Sequence, residues 1–209
     1  MKNEIFVNQS KYAKSLVKRF GLNSAKHMRT LMGTNTKLTI DDSGSSVDLS
    51  FYRGMIGSLH YLTASRPDIC FSVGVCARYQ ANPKESHLAA VKWIICFVSG
   101  TVNDGIWYTN DTNLSIARYS HANWAGNVDA RKSITGGCFY LGNNLVSWHS
   151  KKQNSISLST VEAEYIAARS YCTKLLWMKQ MLANYGMVQD TLTVFCDNTS
   201  AINISKNYV

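Results

Sequence analysis

The chain has 209 residues and a mass of 23.3 kDa, enough to bury a core in one or two domains of roughly 100–200 residues each. With 45% hydrophobic and 17% charged residues it has a globular composition, which excludes collagen-like, mucin-like and wholly disordered chains. The longest apolar run, Ile94 to Val98, lies between Lys92 and Ser99 and falls far short of the roughly 18 residues of a membrane span, so no membrane partner is expected.

Twenty-two Lys and Arg against 13 Asp and Glu give a net charge of +9. The excess is uneven: residues 1–100 hold 13 basic and 6 acidic side chains, residues 101–209 hold 9 and 7. A polyanion on the N-terminal half is the partner this favours, nucleic acid being the commonest. Met1-Lys2-Asn3-Glu4 opens no apolar signal segment, so an intracellular, non-secreted chain is expected, cytoplasmic and nuclear placement staying open. The six cysteines (Cys70, Cys76, Cys96, Cys138, Cys172, Cys196) form no C-x-x-C pair and read as buried thiols.

In chain order, Tyr12, Ala13, Leu16, Val17 and Phe20 recur at helical spacing within Asn8–Phe20, with Lys11, Lys14, Lys18 and Arg19 on the other face and Gly21 as the stop. Lys26 and Arg29 extend that charge. A basic face of this kind suits phosphates, and a merely solvated amphipathic face explains it as well. Residues 22–50, with Gly33, Asn35, Asp41-Asp42 and the Ser-Gly-Ser-Ser run, lack periodicity and read as a long loop. Helices are predicted over Leu49–Thr63, Pro67–Gln80 and Pro83–Ser99, each proline at a first helical position. No strand is predicted in this half.

After Gly100 the period changes. Gly105–Tyr108, Leu114–Ser120, Ser133–Leu141 and Leu145–His149 are rich in aromatic and β-branched residues and read as an antiparallel meander. One long helix is predicted over Ser159–Tyr185, opened by a Ser159/Glu162 capping box and closed by Gly186. A strand over Thr191–Cys196 and a helix from Asn198 to Lys206 follow. The expected fold class is α/β (α+β), a helical segment 1–103 followed by a mixed sheet with helices over 104–209.

Asp197 at the end of the last strand and Glu164 in the first turn of the long helix are the pair that can carry chemistry. Two carboxylates are the minimum for holding Mg²⁺, which takes oxygen ligands and keeps several waters. An acid in a first helical turn and an Asp before a helix are also common structural features. His27, His60, His87 and His149 show no metal-site spacing. Trp107, Trp124, Trp148 and Trp177 read as core or half-buried positions.

Several motifs fall in order along nearly the whole chain. They are Tyr52-Arg53-Gly54-Met55-Ile56-Gly57-Ser58-Leu59-His60-Tyr61-Leu62, Ser65-Arg66-Pro67-Asp68-Ile69, Trp124-Ala125-Gly126, Arg131-Lys132-Ser133, Ser150-Lys151-Lys152-Gln153, Glu162-Ala163-Glu164-Tyr165 and Cys196-Asp197-Asn198. Together they resemble the Pol polyprotein of plant copia-type LTR retrotransposons, from downstream of the polymerase palm through the thumb or connection segment into ribonuclease H. The resemblance implies a ribonuclease H-like C-terminal domain, whose family cuts the RNA strand of RNA–DNA hybrids with two metal ions on four acidic positions.

By the same resemblance Glu164 matches the helix carboxylate, with Glu162 as the lesser alternative, and Asp197 matches the strand carboxylate. Lys151 and Lys152 fall where phosphate contacts are implied, and Asn154, Ser155, Ser157, Ser159 and Thr160 near a hybrid-facing surface. The family pattern Tyr-Ser-Asp-Ala-Asp-Trp-Ala-Gly reads here Tyr119-Ser120-His121-Ala122-Asn123-Trp124-Ala125-Gly126, so His121 stands at the first metal position. The fourth position falls beyond Val209, and an incomplete C-terminus with an exposed sheet edge is expected. Losing an Asp charge to a neutral imidazole is expected to leave Mg²⁺ binding residual and the domain inactive. A non-catalytic nucleic-acid-binding module and an active Mg²⁺-dependent nuclease, the latter needing rescue by a neighbour such as Asp129, are the alternatives.

Overall fold

The computed structural model describes residues 4–32, 38–110, 113–127 and 129–207; Met1-Lys2-Asn3, Gly33 and Asn35 of the sequence reading lie outside them. The chain divides into two compact units, one of Phe6–Ile106 and one built on the residues from Trp107 onward. Its fold is α/β.

The N-terminal unit is helical around one core. A strand β1 (Ile5–Asn8) precedes helix α1 (Ser10–Arg19), which buries Ala13, Leu16 and Val17 and ends before Gly21, whose φ of +69° suits a residue without a Cβ. Helix α2 (Leu49–Leu62) starts where the Asp48 carboxylate accepts the Phe51 N–H at 2.6 Å. It buries Tyr52, Met55, Ile56, Leu59 and Leu62, an i, i+3, i+4, i+7 stripe. The fully buried Tyr52 donates its hydroxyl hydrogen to the Cys76 carbonyl at 2.8 Å.

The helix predicted over Pro67–Gln80 is three pieces: a 3₁₀ turn Pro67–Ile69, helix α3 (Cys70–Cys76) and a second 3₁₀ turn Ala77–Tyr79. The α-helical part is the middle, and both ends tighten to 3₁₀, as short helices do at their termini. Helix α4 (Glu85–Gly100) buries His87, Leu88, Val91, Ile94, Ile95 and Val98. Pro83 stands before its N-cap Lys84 rather than at the first helical position.

The long loop is irregular as expected, yet it is tied down at intervals. His87 is the chief clamp: its Nδ1 accepts the Lys84 N–H at 3.0 Å, so Nε2 carries the hydrogen and donates to the Thr39 carbonyl at 2.7 Å. The ring stacks on Tyr79 at 4.0 Å, and the Tyr79 hydroxyl donates to the Leu38 carbonyl at 2.7 Å. Trp93 Nε1 donates to the Thr30 carbonyl, and Lys84 Nζ to Ser46 Oγ.

Two strand expectations need correction here. The first half does contain a strand, β1, and Gly105–Tyr108 (β2) pairs with it in a two-stranded sheet instead of joining the meander. Gly105 permits the approach: a Cβ there would meet the Val7 carbonyl oxygen at 2.3 Å.

The C-terminal unit has a four-stranded sheet in the order β5-β4-β3-β6. Strands β3 (Ile116–Asn127), β4 (Lys132–Leu141) and β5 (Asn144–Lys152) form an antiparallel meander, and β6 (Thr193–Cys196) runs parallel to β3 at the edge. The crossover is helical: α5 (Thr160–Arg169) and α6 (Cys172–Asn184), with α7 (Thr199–Lys206) after β6. Val194 and Phe195 of the edge strand are exposed.

The single helix predicted over Ser159–Tyr185 is thus broken at Ser170–Tyr171. The cause is Arg118 of β3, fully buried, whose Nη1 and Nη2 donate to the Ala168 and Ala167 carbonyls at 2.7 Å each. Those are acceptors in the last turn of α5, and a guanidinium that takes them ends the helix as a C-terminal cation does. Ile116, Phe139 and Leu175 make the core between sheet and α6. Of the six thiols, only Cys76 and Cys96 are buried; all are free and Cys172 is exposed. Trp107 and Trp177 are exposed, 60% and 59%, rather than core positions, and Trp124 is half-exposed with its Nε1 donating to the Ser157 carbonyl.

Candidate metal centre

Strand β3 lies beside β6 with Tyr119 level with Phe195 and Ser120 level with Cys196. One further step brings His121 level with Asp197 and, by the alternation of a strand, on the same face as the Tyr119–Phe195 stack, whose rings are 4.7 Å apart. Glu164 arrives from α5 on the opposite face. Ala122 of β3 packs against Ala163 and Ala167; with only methyl groups between them, helix and strand approach closely. The Glu164 carboxylate reaches the strand backbone, where Oε1 accepts the Ala122 N–H at 2.7 Å.

The three side chains meet at one point. His121 Nδ1 is 3.0 Å from Glu164 Oε1 and 3.2 Å from Asp197 Oδ2, and all three ligand atoms lie within 4.8 Å of one another. The Glu164 side chain is 5% exposed while those of His121 and Asp197 are each 67% exposed, so an open rim sits over one buried carboxylate. Burial pushes the Glu164 carboxyl above the usual carboxylate range; the Ala122 amide and His121 oppose this and the Asp197 charge adds to it. Cys196 Sγ donates to Glu164 Oε2 at 3.9 Å, and burial raises its thiol pKa as well. Among the described residues no Lys or Arg pairs with either carboxylate.

Glu162 and Asn123 stay outside this cluster. Glu162 accepts the Leu158 N–H at 2.7 Å while Ser159 Oγ accepts the Glu162 N–H at 3.1 Å, so the capping arm of Glu162 closes one residue earlier than expected. Asn123 lies against Gly126, where a Cβ would come within 2.7 Å of its Nδ2. With Ala125 at φ +48° and Ser133 Oγ accepting its N–H, Trp124-Ala125-Gly126 is the irregularity that interrupts the β3–β4 ladder, which resumes at Asn127 opposite Lys132. Lys11, Lys14, Lys18 and Arg19 are all exposed on α1. Lys151 and Lys152 are exposed at the end of β5 beside a cleft lined by Thr135, Gln153, Asn154 and Ser155. Ser157, by contrast, is buried and donates to Gln153 Oε1.

Sequence reasoning missed two supports of the centre. Gln153 is a buried cross-brace: Nε2 donates to Thr135 Oγ1 at 3.0 Å and to the Ala163 carbonyl at 2.9 Å, fixing the first turn of α5 against the sheet. Arg118 fixes its last turn. The available signal for Arg118 was its place in the inward register of β3, two residues from Ile116 and four from Ala122. His149, which shows no metal-site spacing, is packed: its ring centroid lies 3.6 Å from that of Tyr171, and burial followed by the Arg118 and Lys174 charges brings its pKa down to about 4.

A meander joined by one parallel strand, with an imidazole and a carboxylate at the end of the parallel pairing and a second carboxylate from the crossover helix, defines an α/β unit carrying a candidate cation centre. The Retrovirus-related Pol polyprotein from transposon TNT 1-94 of Nicotiana tabacum is 36% identical over 212 residues, covering 98% of this chain and 16% of that protein. That from transposon RE2 of Arabidopsis thaliana is 34% identical over 206 residues, 98% of this chain and 14% of that protein. An uncharacterized mitochondrial protein of Arabidopsis thaliana is 30% identical over 173 residues, 83% of this chain and 72% of that protein. No protein-family profile and no solved structure matches the chain. The chain belongs to the copia-type, retrovirus-related Pol polyproteins of plant transposons and spans 16% and 14% of the two Pol relatives.

Proposed function

We propose that the C-terminal unit is a ribonuclease H-like domain of a Pol polyprotein that no longer cleaves the RNA of RNA–DNA hybrids with Mg²⁺. The observation that carries this is His121 seated between Glu164 and Asp197. The order of strands and helices and the two converging carboxylates support descent from a two-metal hydrolase. The donor set does not fit the metal: Mg²⁺ takes oxygen ligands, and an imidazole nitrogen brings neither the oxygen nor the negative charge two dications need. With the charge reduced, an attacking water gains little acidity and a leaving oxygen little neutralisation.

A labelled hybrid incubated with the chain in Mg²⁺ is expected to stay intact, at the same background as Glu164→Gln and Asp197→Asn. Cleavage that either substitution abolishes would restore an enzyme.

A second reading, polyanion binding by α1, is favoured by four exposed cations on one helix without an acid among them. Affinity is then expected to ignore base sequence and to fall with salt on the order of 0.9 log unit per log unit for each duplex phosphate neutralised. Replacing Lys11, Lys14, Lys18 and Arg19 by Gln is expected to flatten that slope in a filter-binding or anisotropy titration. A salt-insensitive complex, or one the four substitutions leave alone, removes this reading.

A further inference from the structure

We propose that His121, Glu164 and Asp197 form a site for a single Zn²⁺ ion. The inference rests on the reading of the cluster as a cation centre whose Mg²⁺ chemistry is lost, and it names what the altered donors select instead. Zn²⁺ accepts imidazole nitrogen and carboxylate oxygen together at about 2.0–2.2 Å, in tetrahedral sites of three protein ligands and one water. Bonds of that length in a tetrahedron set neighbouring ligand atoms about 3.3–3.6 Å apart. Nδ1 of His121 stands 3.0 Å from Glu164 Oε1 and 3.2 Å from Asp197 Oδ2, close to two edges of such a polyhedron, and all three ligand atoms lie within 4.8 Å of one another.

Charge points the same way. The Glu164 carboxylate is buried, and among the described residues neither it nor Asp197 has a Lys or Arg partner. The ionic partner of Glu164 is the His121 imidazole, and a buried carboxylate without a permanently charged partner is one that a metal ion can neutralise. The supports that a metal ligand needs behind it are in place: the Ala122 N–H orients Oε1, and Gln153 and Arg118 fix the two ends of α5. The exposed His121 and Asp197 leave the fourth position to water. One ion here ties the middle of β3 and the end of β6 to α5.

The test is calorimetric titration of the reduced full chain with ZnCl₂ and, separately, MgCl₂, repeated on His121→Asn and Asp197→Asn. Both substituted positions are exposed, and circular dichroism confirms that the variants fold. One equivalent of Zn²⁺ is expected to bind the native chain at least about 100-fold tighter than Mg²⁺, with each variant losing at least about tenfold in Zn²⁺ affinity. His121→Asp is expected to narrow the Zn²⁺:Mg²⁺ preference. Absence of stoichiometric Zn²⁺ binding, or binding that survives both Asn variants and therefore belongs to thiols elsewhere, overturns the site. Either of those results with an uncut hybrid leaves the lost-nuclease reading standing, whereas Mg²⁺-dependent cleavage removes that reading whatever Zn²⁺ does.

Discussion

Arg118→Ala is expected to destabilise the C-terminal unit by about 4 kcal/mol. The guanidinium is fully buried with no carboxylate partner among the described residues, and burial lowers its pKa, so removing it recovers a desolvation cost. Three losses outweigh that gain. The carbonyls of Ala167 and Ala168 lose their 2.7 Å donors, each worth about 1–3 kcal/mol when left unpaired. The rings of Phe139 and Tyr171, which the guanidinium covers at 5.6 and 5.0 Å, then border a void costing on the order of 2 kcal/mol or more. Arg118→Met keeps most of the volume and is expected to lose about half as much. Because the chain holds two units, one melting midpoint is a poor readout; amide hydrogen exchange over α5 and β3 in native buffer is the measurement. Protection there within about 1 kcal/mol of the native chain would show that the two carbonyls find other donors and that Arg118 does not brace the helix.

That brace also marks the limit of what the sequence discloses. The residues around the break, Ala167-Ala168-Arg169-Ser170-Tyr171-Cys172, contain neither Gly nor Pro, and their periodicity carries straight through into α6. Nothing local stops the helix. The stop comes from a side chain some fifty positions upstream, which only a folded sheet brings near. Strand β1 escaped notice for a related reason: four exposed residues have no face to bury, and their partner β2 is about a hundred positions away. Helices α1, α2 and α4 were legible because each buries a stripe at helical spacing, and β3, β4 and β5 because turn residues separate runs of strand formers.

The site divides in the same way. Glu164, Asp197 and the substituted His121 were legible as residues through the ordered motifs. Their meeting was not, because spacings of 43 and 33 positions define no geometry. It follows from three facts of the fold: the parallel β3–β6 pairing, the one-step continuation of its register, and the alanine contact that lets α5 lie close to β3. The motifs Trp124-Ala125-Gly126 and Lys151-Lys152-Gln153 hold structural parts under a functional resemblance, a ladder irregularity in one and a buried amide brace in the other.

Ser65-Arg66-Pro67-Asp68 is another such case, and it carries the second large effect. Arg66 is 3% exposed; its Nε and Nη2 donate to the two Asp68 carboxylate oxygens at 2.9 and 2.6 Å, while Nη1 and Nη2 donate to the Thr101 carbonyl and Oγ1 at 2.8 and 2.9 Å. Pro67 sets the turn that puts Asp68 two residues on, in bidentate reach. The same guanidinium therefore pairs with a carboxylate and caps the end of α4, whose C-cap is Thr101. Arg66→Ala is expected to cost the N-terminal unit about 3 kcal/mol, the low end of the range for a fully buried pair, because Asp68 is partly exposed and water takes over its charge. Arg66→Lys, which cannot make the fork, is expected to recover less than half. Asp68→Asn should cost about 1 kcal/mol, since the Thr101 bonds survive it. The order Ala, Lys, Asn, from most to least destabilising, is checked by urea titration together with hydrogen exchange over the last two turns of α4. An Asp68→Asn loss equal to that of Arg66→Ala would place the stabilisation in the ion pair rather than in the cap on α4.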